Sequence, residues 1–208
     1  MDIREAYNNW AEQYDTNSNK TRDLEAIALR TTLANVDFKS CLEIGCGTGK
    51  NTEWLISKAK EITAVDLSEE MLAKAKKKII SPIVSFLQAD INKTWTFTNQ
   101  KYELATFSLV LEHIENIDHI FREAADKIVQ HGYVYIGELH PFKQYTGTKA
   151  RFQTAKEQQI VTCFNHNISD FTQAAKKYGF AIEEIKEFFD EDDKNIIPRI
   201  LVMLFKKL

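Results

Sequence analysis

Three closely spaced glycines follow a short apolar run and mark the part of the chain best suited to hold a ligand. Residues 41–44 predict a buried strand, and apolar residues at near-helical spacing within 51–58 predict a helix. Gly45, Gly47 and Gly49 lie in the turn between them. Glycine has no β-carbon, so the turn can adopt positive φ and approach a ligand closely, while the helix start presents unpaired N–H groups. The turn is therefore expected to hold a polar group.

The spacing of the glycines separates the possible ligand classes. A dinucleotide-binding turn follows G-x-G-x-x-G, and a P-loop follows G-x-x-x-x-G-K-[ST]. Neither pattern is present, and Asn51 stands where a P-loop has its magnesium-binding hydroxyl. The remaining pattern, Glu43-x-Gly45-x-Gly47-x-Gly49, resembles the first motif of the class I methyltransferases that use S-adenosylmethionine (SAM). In that family the turn faces the amino acid part of the cofactor. A glycine-rich turn that binds nothing is the alternative.

Two acidic residues follow the next two predicted strands. Asp66 ends the strand at 61–65, where a carboxylate in doubly wound sheets accepts hydrogen bonds from ribose hydroxyls. NAD and SAM both contain adenosine, so this role for Asp66 indicates adenosine binding and does not distinguish the two cofactors. A helix-capping role for Asp66 is the alternative, but Ser68 is better placed for the cap. Asp90 follows the strand at 83–87, and the resemblance implies that it accepts the adenine amino group.

The resemblance continues after the fourth predicted strand, 104–109, with the sequence Val-Leu-Glu-His-Ile at 110–114. Glu103 stands where the family usually has aspartate. The motifs cover roughly residues 40–136 and do not indicate the methyl acceptor. The cofactor contacts that the resemblance implies are Tyr14, Glu43, Gly45, Cys46, Gly47, Asp66, Leu67, Ala89, Asp90, Ile91 and Phe107.

Catalysis of methyl transfer makes modest demands on side chains. The sulfonium is already a good leaving group, so the protein contributes mainly alignment and a dry site. A general base is needed only if the nucleophile arrives protonated. The candidates near the ends of strands four and five are His113, Glu138, His140 and Tyr145. Structural roles are the alternatives: His113 could pack on the next helix, and His140 with Pro141 could shape a turn.

The order of predicted elements indicates an α/β domain spanning residues 1–208. We expect a Rossmann-like, seven-stranded, mostly parallel sheet with an antiparallel last strand and helices on both faces. Residues 1–38 are expected to form an N-terminal helical cap. Its residues Tyr7, Trp10 and Tyr14 could be an ordinary apolar stripe, but the resemblance implies that they also cover the cofactor, with Tyr14 as the expected contact. An insertion after strand five, at 138–168, is expected to be a substrate lid, with a loop at 140–147 and an extra strand at 160–164. A helix is predicted at 116–130, and the last two strands at 180–188 and 196–205.

Composition limits the possible partners and location. The chain has 208 residues, 44% of them hydrophobic, and a formal charge of -3, which argues against a nucleic acid partner. No apolar run is long enough to span a membrane, and no signal peptide is evident, so we expect a cytoplasmic protein. The three cysteines show no metal-ligand spacing. Monomer and homodimer both remain open.

The acceptor can be narrowed only by missing motifs. The Asn/Asp-Pro-Pro-aromatic motif of many amide and exocyclic amine methyltransferases is absent, and so is a Pro-Cys pair for cytosine methylation. We therefore expect a small-molecule acceptor. A protein or RNA acceptor and a non-catalytic SAM-binding protein remain as alternatives, whereas an NAD-dependent oxidoreductase would need a different glycine spacing.

Overall fold

The computed structural model describes residues 2–148, 151–153 and 158–208. The helices are α1 (Ile3–Tyr14), α2 (Lys20–Leu33), α3 (Thr52–Leu55), α4 (Glu69–Lys78), α5 (Ile117–Lys127), α6 (Pro141–Tyr145) and α7 (Ile168–Lys177). The strands are β1 (Ser40–Ile44), β2 (Glu61–Asp66), β3 (Val84–Gln88), β4 (Tyr102–Ser108), β5 (Ile128–Leu139), β6 (Arg151–Gln153), β7 (Gln158–Ile160), β8 (Phe180–Phe188) and β9 (Ile200–Lys207). Short 3₁₀ turns lie at Leu111–His113 and Asp190–Asp192.

Seven strands form one sheet in the order β3-β2-β1-β4-β5-β9-β8. Strands β1 to β5 run parallel, and β9 runs antiparallel to both β5 and β8. The predicted Rossmann-like sheet with an antiparallel last strand is therefore confirmed. The strand order reverses between β1 and β4, and in open α/β sheets a crevice forms at such a point, outside the carboxyl ends of the strands.

Strand β9 shows how the two faces of the sheet are covered. Its side chains alternate between faces, as the period of two in a strand requires. One set packs in the cluster that includes Phe121 of α5 and Phe171 of α7, and comprises Leu201, Met203 and Phe205. The other set packs in the cluster that includes Leu29 of α2, and comprises Ile200, Val202 and Leu204. The sheet is therefore buried on both faces, as predicted.

Helix α1 lies outside these two clusters. Its buried Ala6 and Trp10 pack with Val161, and Tyr7 and Tyr14 pack against this small third cluster. Helix α1 also contacts α4. The start of the chain therefore meets the segment after β7 across the carboxyl-end side of the sheet.

The predicted strand at 160–164 is wrong. Strand β7 ends at Ile160 and pairs antiparallel with β6. The backbone beyond it bonds to the turn after β4 instead, because the Phe164 N–H donates to the Glu112 carbonyl at 2.7 Å. Of the predicted lid, Lys149, Ala150 and residues 154–157 lie outside the described residues.

Other predicted helices, strands and loops also differ from those in the structure. Residues 141–145 form a helix rather than a loop, since Pro141 suits a first helical position and His140 Nδ1 accepts from the Phe142 N–H. Helix α5 ends at Lys127 rather than at Gln130, because β5 already begins at Ile128 and pairs with Tyr102 ahead of a bulge. Strand β9 starts only after Pro198. No helix in the described ranges is both long and apolar enough to cross a membrane.

Candidate functional site

The main cleft lies at the carboxyl ends of β1 to β4, between the segments that follow these strands and α1. It contains about 680 Å³ of empty space, part of it open to solvent. Nine residues predicted from the sequence line it: Tyr14, Gly45, Gly47, Asp66, Leu67, Ala89, Asp90, Ile91 and His113.

The glycine turn crosses the end of β1 in a backbone conformation that favours glycine. Gly45 has φ of +74° and Gly47 has φ of +54°. A β-carbon at Gly45 would lie 2.8 Å from Cβ of Val110, so this position also needs glycine for space. The N–H groups of Gly45 and Cys46 donate to the Val65 carbonyl at 2.8 and 3.0 Å, which fixes the turn to the end of β2.

Asp66 lies between the glycine turn and the start of α4. Its Oδ2 accepts from the Gly47 N–H and its Oδ1 from the Ser68 N–H, both at 2.8 Å. Burial raises the pKa of Asp66, and these two amide hydrogen bonds oppose the rise. Ser68 itself caps α4, since its hydroxyl accepts from the Met71 N–H at 3.1 Å. The sequence assignment of Ser68 as the cap is confirmed, which leaves the Asp66 carboxylate at the cleft.

Asp90 sits on the neighbouring strand end. Its Oδ1 accepts from the backbone and side-chain N–H groups of Asn92 at 3.0 and 3.2 Å. The Ala89 N–H donates to the Asp66 carbonyl at 3.1 Å, so the two acidic strand ends are tied together. Asp66 and Asp90 therefore place two carboxylates along one side of the cleft.

Aromatic side chains of α1 form the opposite wall. The Arg22 guanidinium lies over the Tyr14 ring at 4.3 Å from its centroid and donates to the backbone carbonyls of Tyr14 and Asn17. The Tyr7 hydroxyl lies 2.7 Å from Nε2 of His113. His113 is 5% exposed, and its Nδ1 lies 2.9 Å from the Thr162 carbonyl oxygen. Tyr7 and Tyr14 of the aromatic stripe thus line the cleft, and Tyr7 shares a hydrogen bond with His113, a candidate base.

A smaller cavity adjoins the main cleft behind the glycine turn, and Glu43 and Cys46 line it rather than the main cleft. Glu43 is 4% exposed, and the Thr52 hydroxyl donates to its carboxyl group. Burial raises the pKa of Glu43 to about 8. Burial also raises the pKa of Glu25 to about 6, opposed by a hydrogen bond from Asn51. The carboxyl groups of Glu25 and Glu43 therefore both line the smaller cavity behind the glycine turn.

A second cavity lies on the other side of the α1 aromatic wall. It contains about 1040 Å³ of empty space, including open solvent. Tyr7, Tyr14 and Leu109 line both this cavity and the main cleft. The second cavity is also lined by Trp10, Ser18, Asn19, Lys20, Thr21, Arg22, Glu112, Leu139, Thr148 and Arg199.

Three predicted site residues lie elsewhere. Phe107 is fully buried beneath the cleft, 6.2 Å from Trp95 between ring centroids, because its place in β4 points it into the core. His140 is fully buried at the end of β5, with Nε2 3.0 Å from Glu187 of β8. Burial lowers its pKa, opposed by Glu187. Tyr145 is 63% exposed, and its hydroxyl donates to Asn167.

Besides Tyr7 of the predicted aromatic stripe, eight residues that the sequence did not assign to the cofactor also line the main cleft: Ile3, Ile44, Val65, Asn92, Ser108, Leu109, Val110 and Ile114. Four of them, Ile44, Ser108, Leu109 and Val110, end a strand or directly follow one, which is a usable signal in an open α/β sheet. Leu109 has φ of +54°, and its N–H donates to the Gly137 carbonyl at 2.8 Å. Glu138 Oε1 accepts from the N–H groups of Val110 and Leu111 at 2.9 and 2.7 Å, so this buried acid positions the segment.

Comparison with known proteins gives a match between residues 42–136 and a family model described as a methyltransferase domain. A malonyl-[acyl-carrier protein] O-methyltransferase of Priestia megaterium is 36% identical over 44% of this chain and 35% of its own length. An uncharacterized protein of Haemophilus influenzae is 26% identical over 69% of this chain and 59% of its own length. The chain therefore spans about a third to three fifths of these two relatives.

The fold is also that of solved methyltransferases. The crystal structure of an S-adenosylmethionine dependent methyltransferase from Mesorhizobium loti superposes with a TM-score of 0.73 at 21% identity. The alignment covers 88% of this chain and 98% of that one. At this identity the likeness establishes the fold alone.

Proposed function

We propose that this chain, which carries a class I methyltransferase domain, transfers a methyl group from SAM to a small-molecule acceptor. The proposal rests on one observation above all. The glycine turn, Asp66 and Asp90 converge at three adjacent strand ends on one cleft. Motif matches along a chain do not by themselves require this convergence.

The groups that line the cleft fit the parts of SAM. Asp66 offers carboxylate oxygens to a ribose diol, and Asp90 offers an acceptor to an adenine amino group. Leu67, Ile91 and Val110 offer apolar surface for the adenine faces. The Gly45 position, where a β-carbon would strike Val110, leaves no side chain between the turn and the cleft.

The electrostatics of the site also suit a cation. Asp66 and Asp90 place carboxyl groups at the cleft, and opposite charge at short range stabilises a bound cation. When bound, SAM supplies an activated methyl group on a positive sulfur. The protein's own contribution is to orient the two reactants, while Tyr7 and Tyr14 cover the cleft and exclude water.

The second cavity supports a small-molecule acceptor. Tyr7, Tyr14 and Leu109 line both this cavity and the main cleft, so an acceptor in this cavity would lie next to the cofactor. We extend the proposal to the N-terminal cap at 1–38, which supplies that wall, and to the segment 138–168, from which Leu139 and Thr148 line the cavity.

Calorimetric titration with SAM, S-adenosylhomocysteine and NAD tests the cofactor. The Asp66→Asn variant should weaken SAM binding by about 1.5–3 kcal/mol, the usual value of a hydrogen bond to a charged acceptor. Asp126→Asn is the matched control, because Asp126 is exposed and pairs with Lys101 and Lys127 away from the cleft. Binding of NAD without binding of SAM would refute the proposal.

Incubation with methyl-labelled SAM and a panel of small phenols, carboxylic acids and amines tests the reaction. We expect label in one class of small molecule. Label in added protein or RNA would instead favour a macromolecular acceptor. Tight SAM binding without transfer to any acceptor would favour a non-catalytic SAM-binding protein.

A further inference from the structure

The hydrogen bonds of His113 determine which of its ring nitrogens can accept a proton. Nδ1 lies 2.9 Å from the carbonyl oxygen of Thr162, and a carbonyl oxygen can only accept. In the neutral imidazole, Nδ1 therefore carries the hydrogen and Nε2 presents a lone pair. Tyr7, 2.7 Å from Nε2, must then be the donor in their hydrogen bond.

The Tyr7 oxygen consequently faces its surroundings as an acceptor. Its own hydrogen is committed to His113, so its remaining lone pairs can receive a hydrogen bond from an O–H or N–H group. Tyr7 lines both the main cleft and the second cavity, whereas His113 lines only the main cleft. Tyr7 therefore stands between the proposed acceptor cavity and the cofactor cleft, and its hydroxyl is held by a residue of the cofactor cleft.

We propose that Tyr7 and His113 form a proton-accepting pair that serves an acceptor whose O–H or N–H nucleophile arrives protonated. This inference rests on the proposed methyl transfer from SAM. Tyr7 is the residue that touches the acceptor, and His113 is the final site of the proton.

The step balances with these groups alone. The acceptor's oxygen or nitrogen forms a bond to the methyl carbon as the bond between that carbon and the SAM sulfur breaks, and the electron pair stays on sulfur. The acceptor's proton passes to the Tyr7 oxygen, and the Tyr7 proton passes to Nε2 of His113. The resulting imidazolium later loses this proton to solvent.

The titratable groups around Tyr7 and His113 are consistent with this transfer of a proton through Tyr7 to His113. Burial raises the pKa of Tyr7 well above its ordinary value, and the negative forms of Tyr14, Glu112, Cys163 and Asp66 raise it further. Tyr7 therefore keeps its proton until a new one arrives, rather than acting as a standing anion. Glu112 Oε1 lies 3.9 Å from Nε2 of His113, close enough for a carboxylate to stabilise the imidazolium. Cys163 Sγ lies 3.9 Å from Nδ1.

Nitrogen NMR of protein labelled in its histidine rings tests the hydrogen bonding between Tyr7 and His113. It needs no methyl acceptor. We expect His113 to show the neutral form protonated at Nδ1. In Tyr7→Phe the same tautomer should persist, because the Thr162 carbonyl still fixes it, but the Nε2 resonance should move as its hydrogen bond is lost. A hydrogen on Nε2 of the neutral ring would overturn the proposal, because that nitrogen could then accept nothing.

Kinetic measurements test whether Tyr7 and His113 accept the proton during methyl transfer. They use the acceptor identified by incubation with methyl-labelled SAM. Tyr7→Phe keeps the ring and should lower kcat about 100-fold near neutral pH, the scale of general base catalysis, while KM for SAM changes less than about threefold. The loss should shrink as pH rises and the acceptor ionises by itself. His113→Ala should lose a similar factor, and the double variant should be no slower than either single one, since the two residues act as a unit.

Tyr14→Phe is the matched control, because Tyr14 lines the same two spaces but its ring lies against Arg22 rather than His113. Its pH profile should keep the wild-type shape. If Tyr7→Phe lowers SAM affinity or melting temperature and leaves the pH profile unchanged, Tyr7 only anchors α1 and the proposal fails. If the wild-type protein binds no SAM, the proposed function is overturned instead. The NMR measurement would still show which ring nitrogen of His113 carries the hydrogen.

Discussion

Replacing Glu43 by glutamine should raise the free energy of unfolding near neutral pH and leave it nearly unchanged in mild acid. Glu43 lies in β1, 4% exposed, with the Thr52 hydroxyl donating to its carboxyl group. Burial raises its pKa to about 8 from an ordinary value of 4.5. Glutamine has nearly the same shape and keeps an oxygen for Thr52, but it never ionises.

The sign follows from proton binding. Between the two pKa values the folded chain holds a proton on Glu43 that the unfolded chain has released, so stability falls as pH rises through this window. The cost reaches about 3 kcal/mol near neutral pH and about 5 kcal/mol above the folded pKa. Glu43→Gln should therefore be more stable than wild type by up to about 3 kcal/mol near neutral pH, and the difference should vanish below the unfolded pKa.

Denaturant unfolding at closely spaced pH values measures this difference, provided that wild type and variant show the same m-value. Glu183→Gln is the control, since Glu183 is an exposed glutamate of β8 and its substitution should change little at any pH. A difference between Glu43→Gln and wild type that does not depend on pH would refute the reasoning. So would a variant that is less stable than wild type at neutral pH.

Two further predictions concern the local structure that holds the site. Ser68→Ala should destabilise the chain by about 1 kcal/mol in denaturant unfolding, because α4 loses its N-terminal cap, whereas Ser57→Ala at an exposed position should cost less. Equal losses would argue against the cap. Gly45→Ala should cost more than Gly179→Ala in the same assay. Both residues have positive φ, worth about 1–2 kcal/mol in a residue with a β-carbon, but only at Gly45 would that carbon strike a neighbour. A larger loss at Gly179 would contradict this explanation.

Much of the site could be predicted from short stretches of sequence. The glycine turn, Asp66 and Asp90 each follow a recognisable apolar strand, and the carboxyl ends of parallel strands meet at one edge of a sheet. Ser68 could be assigned as a cap from its neighbours alone. These features are local, so their signals depend on spacings of a few residues.

Predictions that depended on the direction in which a side chain points were less accurate, because two residues assigned to the site are buried away from the cleft. Phe107 and Ser108 are neighbours in β4, but successive side chains point to opposite faces, so one enters the core and the other lines the cleft. His140 follows strand five as predicted. It is nevertheless held by Glu187, from a strand that the sequence could not place beside it.

The sequence by itself determined the α/β sheet, the glycine turn and the acidic strand ends, because hydrophobic period and turn chemistry act over short distances. Only the tertiary structure decided which residues meet across the cleft. Tyr7 and His113 are 106 positions apart, and the Thr162 carbonyl that fixes the histidine's tautomer comes from a third segment. The raised pKa of Glu43 likewise depends on burial by the whole fold, since removal from water is a property of the packed chain and not of its local sequence.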